Sequence, residues 1–482
     1  MECTEKVAVI GAGISGLACA YRLKQLGIHS RVLEASERAG GLMATVRRNG
    51  FVFESGPQCP RFPSAVWQLV QSLNLEREFV AGNPRAKRYI FRHGRLHPAP
   101  FSPVNLITTS LVGIRSKVRI LTEAFRYSQP PVTEESLAEF VERKFGSDIL
   151  NNLVDPIIST IFLGDADKMG MESAFPVLVD WERNQGSLVR GALQARRANR
   201  KQTDNSSSTV STRYTGRQIL RVTDSLPSLG SFRAGMGTLP ERLAEQMNEK
   251  IRYKAAVASV APLGTENGAP AAGWEIILSN REKITTKQLV LAVPAYVAAA
   301  FLEKSAPQLA MQLKRVEYAG MCTVSSVYDR SQVAHRLDGF GFMVPREEGI
   351  LTICTFWNSS LFAGRAPEGR VLITSFARWG KCGNSEVTFD EKCVRTVEAE
   401  NARILGITGG PVDRMIWKDP QALPQYNIGH KNKVTGIDEL LRTLPNLSII
   451  GNFLNGRSIG ECVENGFRVA ENLNAQRQRQ YI

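Results

Sequence analysis

The sequence predicts an α/β fold, α+β overall, in which a parallel βαβ unit, a helical stretch and an antiparallel sheet follow one another along the chain. Three observations predict it. Six residues in, "VAVIGAGISGLACAYRLKQLGIHSRVLEAS" reads as an apolar strand, a glycine turn, a helix and a second strand. Residues 101–182 carry apolar positions at helical spacing. Residues 315–380 alternate apolar and polar side chains in the manner of half-buried strands.

In chain order, residues 7–10 are a buried strand, the turn leads into a helix over 15–26, Gly27 stops it, and 30–34 form the second strand. "NGFVFESGP" at 49–57 reads as turn and strand. Helices are expected in "NLITTSLVGIRSKVRILTEAF" and "SLAEFVERKFGSDILNNLVDPIIST". "ARRANRKQTDNSSSTVSTRYTGR" at 195–217 is basic, polar and poor in apolar residues, and is expected to be a mobile loop. "KITTKQLVLAVPA" at 283–295 returns to buried strand. "CTVSSVYDR", "GFGFMVP", "GILTICTFW" and "RVLITSFARW" supply the antiparallel sheet, and "LSIIGNFLNGRSIGECVENGFRVAENLN" closes the chain with strand, glycine loop and helix.

The opening turn carries its own chemistry. In a Rossmann-like unit Gly11 permits the tight turn, Gly13 lets the backbone approach a pyrophosphate, and Gly16 lets helix and strand pack closely. The helix then aims N–H groups and its positive dipole end at the diphosphate. Glu34, near the end of the second strand, is placed to accept hydrogen bonds from a ribose, and its charge disfavours a 2′-phosphate. "RAGG", with Arg38, Gly40 and Gly41, offers a second loop against an extended cofactor, and "ESGPQC" at 54–59 a third glycine turn. The motif alone leaves NAD and FAD open.

Composition narrows the classes. A chain of 482 residues accommodates two or three domains. With 43% hydrophobic and 22% charged residues it is neither disordered nor fibrous. A net charge of +14 suits an anionic substrate, an anionic membrane surface or nucleic acid. The basic residues lack aromatic interleaving and no nucleic-acid module occurs, so nucleic acid is the weakest of the three. Eight cysteines without a CxxC pair and five histidines without ligand spacing predict reduced thiols and no metal. The charged lead leaves no room for a signal peptide, and the longest apolar stretch, 289–302, contains a proline and is too short to span a bilayer. Peripheral membrane contact stays open.

The N-terminal βαβ unit, the second glycine loop and the late glycine loop together resemble the flavin amine-oxidase superfamily. Within it the chain resembles the oxygen-dependent protoporphyrinogen oxidase family over nearly its whole length. The resemblance rests on "SERAGG" at 36–41, "DPIISTIFLGDADKMGMESAFP" at 155–176, "GSLVRGAL" at 186–193, "GMGTLPERLAE" at 235–245, "GFGFMVPREE" at 339–348, "SSLFAGRAPEG" at 359–369 and "LPQYNIGH" at 423–430. It implies FAD as cofactor and three interleaved domains. These are an FAD-binding domain from 1–86, 233–298 and 421–482, an antiparallel-sheet substrate domain from 87–98, 187–232 and 299–420, and a helical membrane-associating domain at 99–186.

The resemblance also assigns residues. For FAD the matching positions are Gly11, Ala12, Gly13, Ile14, Ser15, Gly16, Glu34, Ala35, Arg38, Gly41, Leu42, Gly56, Pro57, Gln58, Cys59, Val257, Trp417, Arg457, Ser458 and Ile459. Arg88 stands where the family keeps an arginine for a substrate propionate, a task suited to a bidentate guanidinium. Phe340, Met343 and Phe356 line an apolar tetrapyrrole slot, although periodicity alone reads them equally well as core. The implied reaction takes six electrons from protoporphyrinogen IX in three two-electron steps through the flavin, with O2 as acceptor and hydrogen peroxide as by-product. The same resemblance places the protein in the cytoplasm, peripheral on the inner face of the cell membrane, and leaves a homodimer open.

Two departures stand out. The family's "SGxxAGD" is "STIFLGD" here, so Thr160 and Leu163 replace small residues beside the expected pocket, and Arg457 and Ser458 are polar where the family is usually apolar. No Ser/His/Asp set or carboxylate pair marks an acid or base, so no side chain is assigned a catalytic proton. The rivals are coproporphyrinogen III oxidation, which a second cluster of pocket cations would favour, a flavin amine oxidase, and a silent FAD-binding membrane protein.

Overall fold

The computed structural model describes residues 5–479 apart from 84, 204–228, 265–272, 383–384, 388–389, 455 and 457. Its first sheet has seven strands. Glu5–Ile10 lies between Ser30–Leu33 and Lys283–Leu291 in parallel register, with Ile251–Arg252 and Leu447–Ile449 also parallel and an antiparallel hairpin, Val257–Pro262 and Trp274–Leu278, at one edge. The near-continuous apolar run of the first strand follows from burial on both faces. Val7 and Val9 pack with Leu17 and Leu23 of the helix Ile14–Gln25 and with Val463 of the last helix, Ile459–Arg479. Ala8 and Ile10 pack on the other face with Ala298 and Leu302 of Ala295–Leu302.

The second seven-stranded sheet runs, strand by strand, Asp413–Pro424, Tyr318–Asp329, Arg370–Arg378, Thr352–Phe356, Gly339–Met343, Lys87–Arg92 and Arg95–Pro98. Only the Gly339–Met343 and Lys87–Arg92 pair is parallel. The alternation read over 315–380 is therefore the middle of a wider sheet whose outer strands come from residues 87–98 and 413–424.

Between residues 103 and 203 the only regular elements among the described residues are helices, joined by non-helical stretches that include 126–136 and 163–170. Phe140, Val141, Ile149, Ile158 and Met169 form a separate core that rests on Ile90 of the second sheet. Among the described residues no helix is long and apolar enough to cross a membrane.

The expected loop at 195–217 begins as helix: Leu188–Thr203 is continuous, while 204–217 lie outside the described residues. Its stretch is rich in alanine and arginine, which favour helix, and its start is capped from far away in sequence. Buried Glu123 accepts from the Leu188 and Val189 N–H groups (2.8 and 3.0 Å) and from Ser187 Oγ (2.7 Å). This helix packs against Pro176–Gln185 in the helical layer rather than with the antiparallel sheet, and Gly230–Phe232 pairs with Phe79–Ala81.

Candidate active site

Glycine shapes the carboxyl end of the parallel sheet. Gly11 sits at φ 103°, and a Cβ there would lie 2.4 Å from the Ala292 carbonyl oxygen. A Cβ at Gly16 would lie 2.0 Å from the Gly11 oxygen, so helix and strand approach only without a side chain. Gly13 differs, because nothing stands within 4 Å of a Cβ there, and it begins the helix with no side-chain cap. The first-turn N–H groups thus face open space with the positive end of the helix dipole behind them, which suits a diphosphate.

The neighbouring loops close around this turn. Gly40 N–H donates to Ala12 O (2.8 Å), Gly41 lies against Gly13, and Arg38 braces the loop by donating to Gly41 O (2.9 Å). Glu34 accepts from Ala12 N–H (2.7 Å), Ser36 N–H (2.9 Å) and Ser36 Oγ (2.8 Å). A carboxylate offers about four acceptor positions, so one remains for a ribose hydroxyl. The acid therefore also locks the turn, a role the motif did not show. Ala35 follows it, exposed, and Ala255 N–H donates to Glu34 O (2.8 Å) two residues before Val257. Glu34→Lys is expected to weaken FAD binding by about tenfold or more, the worth of one hydrogen bond to a charged group; flavin fluorescence on dilution measures it, and full FAD occupancy would remove Glu34 from the cofactor site.

The third turn is stacked on the second. Ser55 Oγ donates to Leu42 O (2.9 Å), and a Cβ on Gly56 would lie 2.6 Å from that oxygen. Pro57 is half-buried. Gln58 turns inward: its amide donates to Gly56 O (2.9 Å) and accepts from Asn358 (2.6 Å), so this side chain ties the turn to the short helix Asn358–Leu361 that follows the strand Thr352–Phe356. Burial pushes the Cys59 thiol up to about 12, leaving it neutral. At the other end of the chain, Ser458 and Glu461 form a reciprocal cap ahead of Ile459. Gly466 allows this last helix onto Ser15, where a Cβ would lie 2.6 Å from the Ser15 oxygen. Two helix N-termini thus flank the glycine turn. Arg457 lies outside the described residues.

The second sheet presents a row of Arg88, Gly341, Phe356, Thr374 and Ser325, and beside it a row of Ile90, Met343, Cys354, Phe376, Thr323 and Trp417. Thr323 Oγ1 donates to Ser55 O (2.9 Å), which brings the Trp417 end of that row to the third glycine turn. A bulge at Gly339–Gly341, with Gly341 at φ 139°, breaks the strand's alternation. Phe340 thereby reaches both the Arg88 guanidinium (4.7 Å to the ring centre) and the Phe356 ring (5.8 Å), which meets Phe376 at 5.3 Å. Met343, Phe356 and Leu163 pack in one cluster around Cys354 and Phe376. Leu163 ends the helix Asp155–Phe162 in the left-handed region, and Arg346 fixes the following loop by donating to Gly164 O (2.8 Å) and pairing with Asp165 (2.7 Å). Thr160 lies beside the Cys354 thiol, and its buried hydroxyl has no oxygen or nitrogen partner among the described residues.

Arg88 is half-buried. Burial pulls its pKa down, and the neighbouring Arg61 adds to that. No carboxylate pairs with Arg88 among the described residues; it stacks on Phe340 and, at 5.5 Å, on Phe101. An unpaired cation at the end of an aromatic slot, close to the third glycine turn, is prepared for an anion.

A family model for flavin containing amine oxidoreductase matches residues 14–474. The chain belongs to that family. Its cofactor is FAD, and the open cradle at Gly13 with the free acceptor position on Glu34 fits that group. Among relatives of this flavin family, the chain is 29% identical to the chloroplastic protoporphyrinogen oxidase of Nicotiana tabacum, over 96% of this chain and 84% of that protein. It is 26% identical to coproporphyrinogen III oxidase of Bacillus subtilis (strain 168), over 95% and 96%. A solved structure from Exiguobacterium sp. 255-15, provisionally named a protoporphyrinogen oxidase, superposes with a TM-score of 0.77 at 22% identity, covering 99% of this chain and all of that one.

Proposed function

We propose that the chain oxidises a porphyrinogen to the porphyrin, with protoporphyrinogen IX as substrate and O2 as acceptor. The observation that carries this reading is the half-buried Arg88, without an acid partner among the described residues, at one end of an aromatic slot that leads to the glycine turns. The names of the relatives support it. Bound FAD supplies the two-electron oxidation, which is needed three times per substrate and consumes three O2 to give three H2O2. The side chains bind and orient: Arg88 receives a propionate, and Phe340, Phe356 and Met343 hold the apolar macrocycle and exclude water. Purified yellow protein mixed with protoporphyrinogen IX in air should form fluorescent protoporphyrin well above the spontaneous rate. No acceleration with bound FAD would overturn the reading.

The second reading is coproporphyrinogen III, which carries four carboxylates rather than two and would call for cations beyond Arg88; Arg61, close enough to oppose the Arg88 charge, adds one beside it. The ratio of the two porphyrin-forming rates decides between them.

The helical layer bears the surface we propose to rest, peripherally, on the inner face of the membrane. Val104, Ile107, Ile114, Val118, Leu121 and Phe125 are 69%, 49%, 74%, 51%, 58% and 86% exposed. Along the helix Ile114–Leu121 the apolar residues are interspersed with Arg115, Lys117 and Arg119, which suits an anionic interface. Burying each large side chain contributes about 1.5–3 kcal/mol. Val118→Glu with Phe125→Glu is therefore expected to abolish flotation with anionic vesicles while leaving porphyrinogen turnover in detergent intact. Undiminished flotation would reject this face.

A further inference from the structure

The segment between the strand Leu447–Ile449 and the last helix lies at the carboxyl end of the parallel sheet. Ile450 N–H donates to Leu291 O (2.9 Å), just as Ala292 N–H donates to Ile10 O (2.8 Å) beside the glycine turn. Cofactors of open α/β sheets lie at that end. The first residues of this loop are gripped from outside by two side chains of "LPQYNIGH". Tyr426 donates its hydroxyl to the Asn452 carbonyl, and His430 donates from Nε2 to the Phe453 carbonyl (2.8 Å). The two rings stand 4.5 Å apart, 4% and 2% exposed.

The His430 ring is neutral, because burial holds its pKa down to about 4. A neutral imidazole has one N–H, and a carbonyl partner places it on Nε2. Nδ1 is buried and has no partner among the described residues. An apolar ring would fill this room without leaving a polar atom unsatisfied, so the cost of Nδ1 is borne for the one bond to Phe453. The gripping segment is itself held by the helical layer. Gly170 N–H donates to Tyr426 O (2.9 Å), Ile428 N–H to Lys168 O (2.9 Å), and Gly429 N–H to Glu134 (2.7 Å).

We infer that Tyr426 and His430 are positioning residues that fix the Asn452–Phe453 backbone and, through it, the C-terminal part of the FAD cradle, using the helical layer as their anchor. The inference rests on the cofactor and not on the substrate.

The test compares His430→Ala, His430→Gln and Tyr426→Phe with the parent, all as full-length protein, both FAD-loaded and stripped of FAD. Each of His430→Ala and Tyr426→Phe is expected to raise the Kd for FAD about tenfold, the worth of a lost hydrogen bond, and to shift the visible flavin bands. The melting temperature of the FAD-free protein should stay near that of the parent in Tyr426→Phe, and fall in His430→Ala no more than the cavity left by a buried ring requires. Glutamine, whose amide N–H can reach the same carbonyl, should restore most of the affinity. Unchanged FAD affinity and spectrum would overturn the inference, and so would a fall in FAD-free stability that tracks the affinity loss with no rescue by glutamine. If His430→Ala does not fold, Tyr426→Phe, which removes a single oxygen, decides the matter alone. Because FAD is the readout, a protein that oxidises no porphyrinogen still answers the question.

Discussion

Replacing Arg365 with alanine is expected to cost about 3–5 kcal/mol of stability, the usual penalty for breaking a buried ion pair. The Arg365 and Glu54 side chains are each 2% exposed, with Nη1 3.0 Å from Oε1. Glu54 also accepts from Met236 N–H (2.8 Å) and Thr45 Oγ1 (2.6 Å), while Arg365 donates to Ser231 Oγ (2.5 Å) and Phe232 O (3.3 Å). The pair thus joins three distant stretches behind the third glycine turn. Burial drives the Glu54 pKa up and the Arg365 pKa down despite their mutual attraction, so neither charge is comfortable alone. In the alanine variant the carboxyl loses its counter-charge and its pKa rises further above that of the unfolded chain. A carboxyl raised in the folded state stabilises below its unfolded pKa and loses that contribution as pH rises. The deficit should therefore be smaller near pH 4 to 5 than at pH 8, and Glu54→Gln in the alanine background should recover part of it. Urea unfolding of the FAD-free protein at the two pH values measures this; a loss under about 1 kcal/mol, independent of pH, would show that the pair is not a structural link.

The glycine chemistry was legible because it is local. Gly11, Gly13 and Gly16 act within one turn and on an adjacent strand, and the second loop at Gly40–Gly41 follows a few residues later, so spacing alone implied a cradle. What spacing could not show depends on partners far along the chain. Glu54 and Arg365 are 311 positions apart, and nothing in "ESGP" distinguishes an acid that will be buried from one that will be wet. Gln58 sits in the third glycine turn and spends its amide on Asn358, 300 positions away. The helix Leu188–Thr203 has loop-like composition, but Glu123 caps it across 65 positions.

The aromatic slot shows the same limit from another side. Period-two reading puts Phe340 and Met343 on opposite faces of a strand, whereas the Gly341 bulge brings Phe340 to Arg88 while Met343 joins the Phe356 cluster. A Cβ at Gly341 would lie 1.9 Å from the Thr355 oxygen, so the signal was present in "GFGFM" as a glycine inside a strand. Thr160 and Leu163 lie beside Cys354 and Phe356, one with a hydroxyl without an oxygen or nitrogen partner among the described residues, the other in a backbone conformation leucine rarely adopts. Both properties need the fold to be seen.

Removing the Arg88 guanidinium is expected to raise KM for porphyrinogen about 10- to 100-fold, as loss of a charge-assisted contact worth about 1.5–3 kcal/mol requires. A propionate is held equally in substrate and transition state, so kcat should change far less than KM. Stability should move the other way. In the free protein Arg88 is partly desolvated and has no acid partner among the described residues, so Arg88→Ala is expected to leave the melting temperature unchanged or slightly raised. Arg88→Lys should recover only part of the KM, because an ammonium cannot pair with a carboxylate through two parallel N–H groups. Esterifying the propionates supplies the second arm of the cycle: the ester should bind the parent protein poorly and be nearly indifferent to the alanine substitution. A KM for free-acid porphyrinogen that is the same in Arg88→Ala and parent would remove the arginine from the substrate site. A penalty that persists with the ester would show that Arg88 acts by stacking on Phe340 and Phe101, and the slot would then be recognising the macrocycle alone.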